Sequence, residues 1–192
     1  MVLPLTYYGN PVLREKGARV ESVTPELEQL IDDMFETMEE YRGIGLAAQQ
    51  VGQALQLTVI DISPVEDRPS TLELDGQETD PKSYMPLVLL NPDIEPLGEP
   101  ETGGEGCLSF PEMYGEVSRP GQIRVKALNR TGEPIEFVCG GLLARCVQHE
   151  TDHLHGILFI DRMEPDDKAE LRAELDALQK KTKAELAESG DQ

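Results

Sequence analysis

QHETDHLHG, residues 148–156, holds every histidine of the chain: His149, His153 and His155. The segment after Gly141 carries Leu142, Leu143, Cys146, Val147 and Leu154 at helical spacing, and Gly156 is well placed to end the helix. Residues four apart on a helix stack on one face. His149 and His153 therefore share a face, and Glu150 lies beside it. That face is also the apolar one, whereas Ala144, Arg145, Gln148, Thr151 and Asp152 fall on the other side of the wheel. The core-facing side thus presents two imidazoles and a carboxylate. A buried carboxylate is costly unless it pairs, takes up a proton or meets a cation. The pattern H-E-x-x-H answers that need: two histidines hold one metal ion and the glutamate acts as a base on water there. A mutually satisfied pair of core histidines is the plainer alternative. His155, near the helix end, reads as a surface residue.

Working outward, TPELEQLIDDMFETMEEY (24–41) predicts a second helix, with Thr24 as its cap and Pro25 in its first turn. Leu27, Leu30, Ile31, Met34, Phe35 and Met38 make its buried stripe. Segments 55–62, 87–92, 122–128 and 133–138 read as strands. Between the first two, residues 63–86 are polar and rich in turn formers, as in a surface excursion with a short hairpin at TLELDGQ. A last helix is expected over 164–188, with Leu171, Leu175, Leu178 and Leu186 along one stripe. Strands and helices do not alternate regularly. The fold class is therefore α+β, with mixed antiparallel sheets packed around the central helix and a helix at the C-terminus.

A chain of 192 residues with 39% hydrophobic and 28% charged residues suits one globular domain. Its formal charge of −20 argues against direct nucleic-acid binding and against anionic membranes, since phosphate contacts need clustered Lys and Arg. No apolar run approaches the roughly 20 residues of a membrane span, and the first residues do not resemble a signal peptide. Three cysteines, Cys107, Cys139 and Cys146, form no disulfide framework and point to a reducing cytoplasm.

Two histidines leave a catalytic ion one protein ligand short. The longer pattern with a third downstream histidine fails, because Phe159 stands there. Asp161 and Glu164 are weak candidates. Cys107, in the glycine-bracketed loop GGEGCLSFPE (103–112), is the better one: the backbone can come close there, and a thiolate binds zinc or ferrous iron strongly. Cys146 competes from the helix itself but is poorly placed to reach. Cys139 reads as a small apolar residue at a strand end.

GIGLAAQQ (43–50), EGCLS (105–109) and QHETDH (148–153) together resemble the three motifs of the peptide deformylases, in that family's order, over roughly residues 1–163. The resemblance implies an α+β enzyme that removes the formyl group from the formylmethionine of new polypeptides. It implies that Cys107, His149 and His153 bind the metal, that Glu150 is the base, and that Gln50 and the Leu108 N–H face the developing oxyanion. Ile44 and Gly45 would lie along the substrate, and Glu105 would hold the loop or the substrate's amine end. Leu142 and Cys146 are the candidate walls of the methionine pocket, with Tyr114 at its mouth or simply in a turn. Ferrous iron is the implied metal, with nickel or zinc as substitutes. N-formylmethionyl nascent peptides are the implied partners, and the chain is expected to act as a monomer.

Within the expected single domain, 1–163 is the catalytic core, 63–86 an insertion and 164–188 the terminal helix. That helix is only locally basic, at Lys180, Lys181 and Lys183, so any ribosome contact is expected to be transient. Two other functions fit some of the residues. One is a zinc-dependent peptidase, which would not need Cys107. The other is a non-catalytic metal-binding module, which would need neither Glu150 nor Gln50.

Overall fold

The computed structural model describes residues 1–190. Helix α1 (Pro25–Glu40) starts as expected, with Thr24 Oγ1 accepting from the Leu27 N–H and Pro25 in the first turn. Helix α2 (Gly141–Leu154) carries His149, Glu150 and His153 through the middle of the molecule. The described residues also form nine strands: β1 (Gly45–Ala47), β2 (Leu57–Ile60), β3 (Ser70–Leu74), β4 (Gln77–Thr79), β5 (Leu87–Pro96), β6 (Pro100–Cys107), β7 (Phe110–Pro120), β8 (Gln122–Leu128) and β9 (Pro134–Gly140). Seven form an antiparallel sheet in the order β1-β2-β5-β8-β9-β3-β4, and β6 and β7 form a separate hairpin.

Strand β2 and the first four residues of β5 are buried on both faces because helices cover both faces. Leu57, Val59, Val88 and Leu90 meet Leu27, Ile31, Met34 and Met38 of α1. Ile60, Leu87 and Leu89 point the other way and join Ile123, Val125 and Phe137 against Leu143 and Val147 of α2. Each fully buried aliphatic side chain of this kind contributes about 1.5–3 kcal/mol. A third cluster, with Phe110, Val117, Phe159 and Leu175, seals the hairpin to the segment after α2. Residue Gly156 ends α2 with φ 73, a backbone angle that most residues avoid.

Four expectations need correction. First, α2 is buried nearly all round. Ala144 joins the core of the large sheet, and Arg145, Thr151 and Asp152 are buried as well, because the β6–β7 hairpin covers the side assigned to the polar face. Second, residues 63–86 are more than a surface excursion. The TLELDGQ hairpin forms, but β3 also pairs with β9 and buries Leu72. Just before and within β3, the Pro69 carbonyl and Ser70 Oγ accept from the Leu142 and Leu143 N–H groups and so cap α2. Third, Cys107 is the last residue of a strand and not part of an open loop. Fourth, the terminal helix is two helices, α3 (Pro165–Glu170) and α4 (Arg172–Gly190). They turn at Leu171 so that Leu171, Leu175 and Leu178 reach the third cluster, while Leu186 is left exposed. No helix among the described residues is long and apolar enough to cross a membrane.

Candidate active site

Strand β6 delivers Cys107 to the ligand face of α2. The pairing with β7 shifts register between Gly106 and Cys107, and such a bulge re-aims the side chain that follows. The Cys107 Sγ lies 3.4 Å from His153 Nε2. One donor atom each from Cys107, His149 and His153 falls within 4.8 Å of the others. The competing ligands stay away. Cys146 turns its thiol to the Ile44 carbonyl at 3.6 Å, and burial beside Glu150 pushes that thiol well above its ordinary pKa. Asp161 is bound by Arg14 at 2.5 Å, and Glu164 is exposed.

Beneath the ligands sits a network of buried charge. His149 Nδ1 donates to Glu105 Oε1 at 2.9 Å, which turns Nε2 toward the site. The two Glu105 oxygens also accept from Arg119 Nε at 2.6 Å, Arg119 Nη2 at 2.9 Å and Arg145 Nη1 at 2.9 Å. Burial raises the Glu105 pKa, but the bonds from Arg119 and His149 outweigh it and hold the carboxyl far below the usual range. With both oxygens so engaged, Glu105 has no lone pair left for a substrate amine. It holds strand β6 and the His149 ring, which favours the positioning role over the substrate contact of the two expected of it. Arg119 also reaches Asp152 at 2.9 Å, which in turn accepts from Arg162 at 2.6 Å.

Glu150 stands apart from this network. It is buried, its Oε1 lies 4.0 Å from His149 Nε2, and its Oε2 has no hydrogen-bond partner. Burial pushes its pKa up to about 7. Gly45 makes room for it: a Cβ there would sit 2.7 Å from Glu150 Oε1 and 2.9 Å from Cys146 Sγ. Gln50 is aimed as strictly. The Ala47 N–H donates to its Oε1 at 2.9 Å, so its amide NH2 points at Cys107 Sγ, 3.4 Å away, and at Ser109 Oγ, 3.2 Å away. Leu108 occupies the turn between the paired residues Cys107 and Phe110, and its side chain packs over Gly43.

These groups open into a cleft of about 650 Å³, lined also by Ile44, Gly45, Leu142, Cys146 and Tyr114. Tyr114 is 73% exposed, which puts it at the mouth. His155 is exposed and takes no part. Cys139 is buried in β9, where burial pushes its thiol up to about 12. Arg119, Arg145, Asp152 and Ser109 are the site residues that sequence patterns missed.

One thiol and two imidazoles make a donor set suited to a divalent transition metal, and three protein ligands leave a position open. His149 is oriented from behind by a carboxylate, as metal-binding histidines generally are. The residues present therefore fit such an ion.

Comparison with known proteins agrees. The polypeptide deformylase family model matches residues 2–169. A peptide deformylase of Opitutus terrae is 45% identical over 186 residues, covering 96% of each chain. The crystal structure of a peptide deformylase from Legionella pneumophila has a TM-score of 0.77 and 37% identity, covering 94% of this chain and 96% of that one. One from Synechococcus elongatus, in complex with actinonin, has a TM-score of 0.74 and 41% identity, covering 94% of this chain and 85% of that one.

Proposed function

The chain belongs to the polypeptide deformylase family, and from that premise we propose how its own side chains carry the reaction. The enzyme removes the N-terminal formyl group from new polypeptides. The family implies a divalent metal ion, and Cys107, His149 and His153 are the residues that would hold it. Among the candidates, ferrous iron is the proposed native ion, with nickel and zinc as substitutes. When bound, the ion supplies Lewis acidity, polarising the formyl carbonyl and acidifying water.

The protein supplies the rest. Glu150, raised toward neutral pH by burial, takes the proton of the attacking water and returns it to the departing amine. The Gln50 amide and the Leu108 N–H donate to the oxyanion as charge builds there. Strand β1 lies at one end of the sheet order, so one of its edges is unpaired. A peptide backbone can align there beside Ile44 and Gly45 as an added strand. Leu142 and Cys146 form an apolar wall for the methionine side chain.

The observation that carries this reading is the meeting of Cys107, His149 and His153 donor atoms within 4.8 Å beside a buried, unpaired Glu150. The test is formate release from formyl-Met-Ala-Ser by wild type and by Cys107→Ala, with bound metal measured in both. Loss of metal and formate together supports the reading. Retained metal with cleavage of internal peptide bonds would make the protein a peptidase instead. The same reading proposes a cytoplasmic monomer. It also proposes a weak, transient ribosome contact, because Lys180, Lys181 and Lys183 on α4 are balanced by Glu174, Asp176, Glu185 and Glu188.

A further inference from the structure

Helix α1 ends in a hydrogen-bond pattern that usually calls for glycine. The Arg42 N–H donates to the Glu39 carbonyl at 3.0 Å and the Gly43 N–H to the Met38 carbonyl at 2.9 Å, and Arg42 takes φ 56. A left-handed residue at this point of a helix terminus is ordinarily Gly or Asn. Among the described residues, four non-glycine residues have positive φ: Arg42, Asp75, Asn91 and Glu112. Asp and Asn tolerate that conformation, whereas Arg and Glu bear a cost there. Arg42 and Glu112 both line the active-site cleft. Strain concentrated at one cleft points to function.

Charge sharpens the point. Arg14, Arg119, Arg124, Arg130, Arg145 and Arg162 are all ion-paired, and of the other four arginines Arg19 and Arg172 lie away from the cleft. Arg42 pairs with no carboxylate among the described residues. Neither does Arg68, which comes from the segment before β3 and also lines the cleft, with only a 3.4 Å contact from its Nη1 to the Gly104 carbonyl. Both side chains are exposed. In a chain of net charge −20, two free guanidinium groups stand at one cleft, opposed there by a single exposed acid, Glu112.

We propose that Arg42 and Arg68 select substrates with an acidic side chain downstream of the formylmethionine. The inference rests on the deformylase reading and adds a sequence preference to it. Guanidinium groups suit carboxylates through paired N–H donors, and rim charges act mainly on encounter and binding. The preference therefore appears in KM more than in kcat. Glu112 opposes it.

The test uses C-terminally amidated formyl-Met tetrapeptides with Glu or Lys at the second, third or fourth residue, beside neutral formyl-Met-Ala-Ser. At low salt, the Glu-to-Lys ratio of kcat/KM is expected to be about 5–20 at one or more positions, from two exposed pairs of ordinary strength. It should shrink toward one in 0.5 M salt. The double variant Arg42→Glu, Arg68→Glu should invert the ratio, and Glu112→Gln should raise it. Arg42→Gly is the control for structure: it relieves the backbone, so its Tm should hold or rise while the ratio falls. A ratio near one at every position overturns the proposal, as does one unchanged by charge reversal or by salt. Failure to deformylate any peptide, neutral included, counts instead against the deformylase reading.

Discussion

Replacing Arg119 by Met should damage both stability and the metal site, and by amounts the structure sets. The Arg119 side chain is only 3% exposed. It supplies two of the bonds that hold Glu105 and one that holds Asp152. Breaking a buried ion pair typically costs about 3–5 kcal/mol, because a carboxylate is left without its partner. Here Arg145 still reaches Glu105 and Arg162 still reaches Asp152, so the lower end, about 3 kcal/mol, is expected. Urea unfolding measures it. Adding Glu105→Gln should cost less than the two separate losses combined, since the orphaned charge is then gone. The second readout is metal. With Glu105 loosened, the His149 ring loses its orientation, and affinity should fall about 10–100-fold. Acid dependence gives a third. Glu105 lies below its ordinary pKa of 4.5 in the folded state, so its contribution is present above that value and is lost as pH falls below it. The Arg119→Met variant should show a weaker acid slope. Destabilisation under about 1 kcal/mol with unchanged metal affinity would defeat the reasoning.

Glu150→Gln should keep its metal and lose about 10²–10⁴-fold in turnover, measured by formate release, and near-normal turnover would remove Glu150 from proton transfer. In the ion-free protein, Glu150 holds a proton between its ordinary 4.5 and about 7, so stability should fall as pH rises through that window. Thermal melts of Glu150→Gln should lack this slope. Gly45→Ala places a Cβ 2.7 Å from Glu150 Oε1, so overpacking should cost about 1–3 kcal/mol and activity should fall with it. A fully active, equally stable variant would show that Glu150 is not held by β1. In the ion-free protein, iodoacetamide should label half-buried Cys107 well before Cys139 and Cys146, and added nickel or zinc should protect it. Equal labelling rates, traced by mass spectrometry, would count against Cys107 as a ligand.

How much of this was legible in sequence depended on whether the signal lay within one element. The α1 stripe and its Thr24 cap, the alternation of 122–128 and the His149–His153 spacing are all local, and all appear in the fold. Strands β6 and β7 were hidden because Gly103, Gly104, Gly106 and several prolines carry little strand propensity. That hairpin is held by packing of Phe110, Met113 and Val117, and by Arg145, which donates to the Glu101 and Val117 carbonyls. Once it covers α2, the polar side of the helical wheel ceases to be a surface. Arg145 and Asp152 are buried there against partners many residues away, and periodicity along one helix cannot show a partner on another element.

The same burial explains why Glu150 can titrate near neutrality. Each of the other carboxylates buried around α2 is tied to guanidinium groups: Glu105 to Arg119 and Arg145, Asp152 to Arg119 and Arg162. Those ties keep Glu105 ionised and hold Asp152 in place, so that both carboxylates position neighbouring groups. Glu150 has no such tie among the described residues, and burial, with the nearby charges of Glu105 and Asp152 adding to it, raises it to about 7. A carboxylate that must accept a proton and give it back needs a pKa near the working pH. Placing arginines around every neighbour but this one separates the acids that hold the site in place from the one that moves the proton.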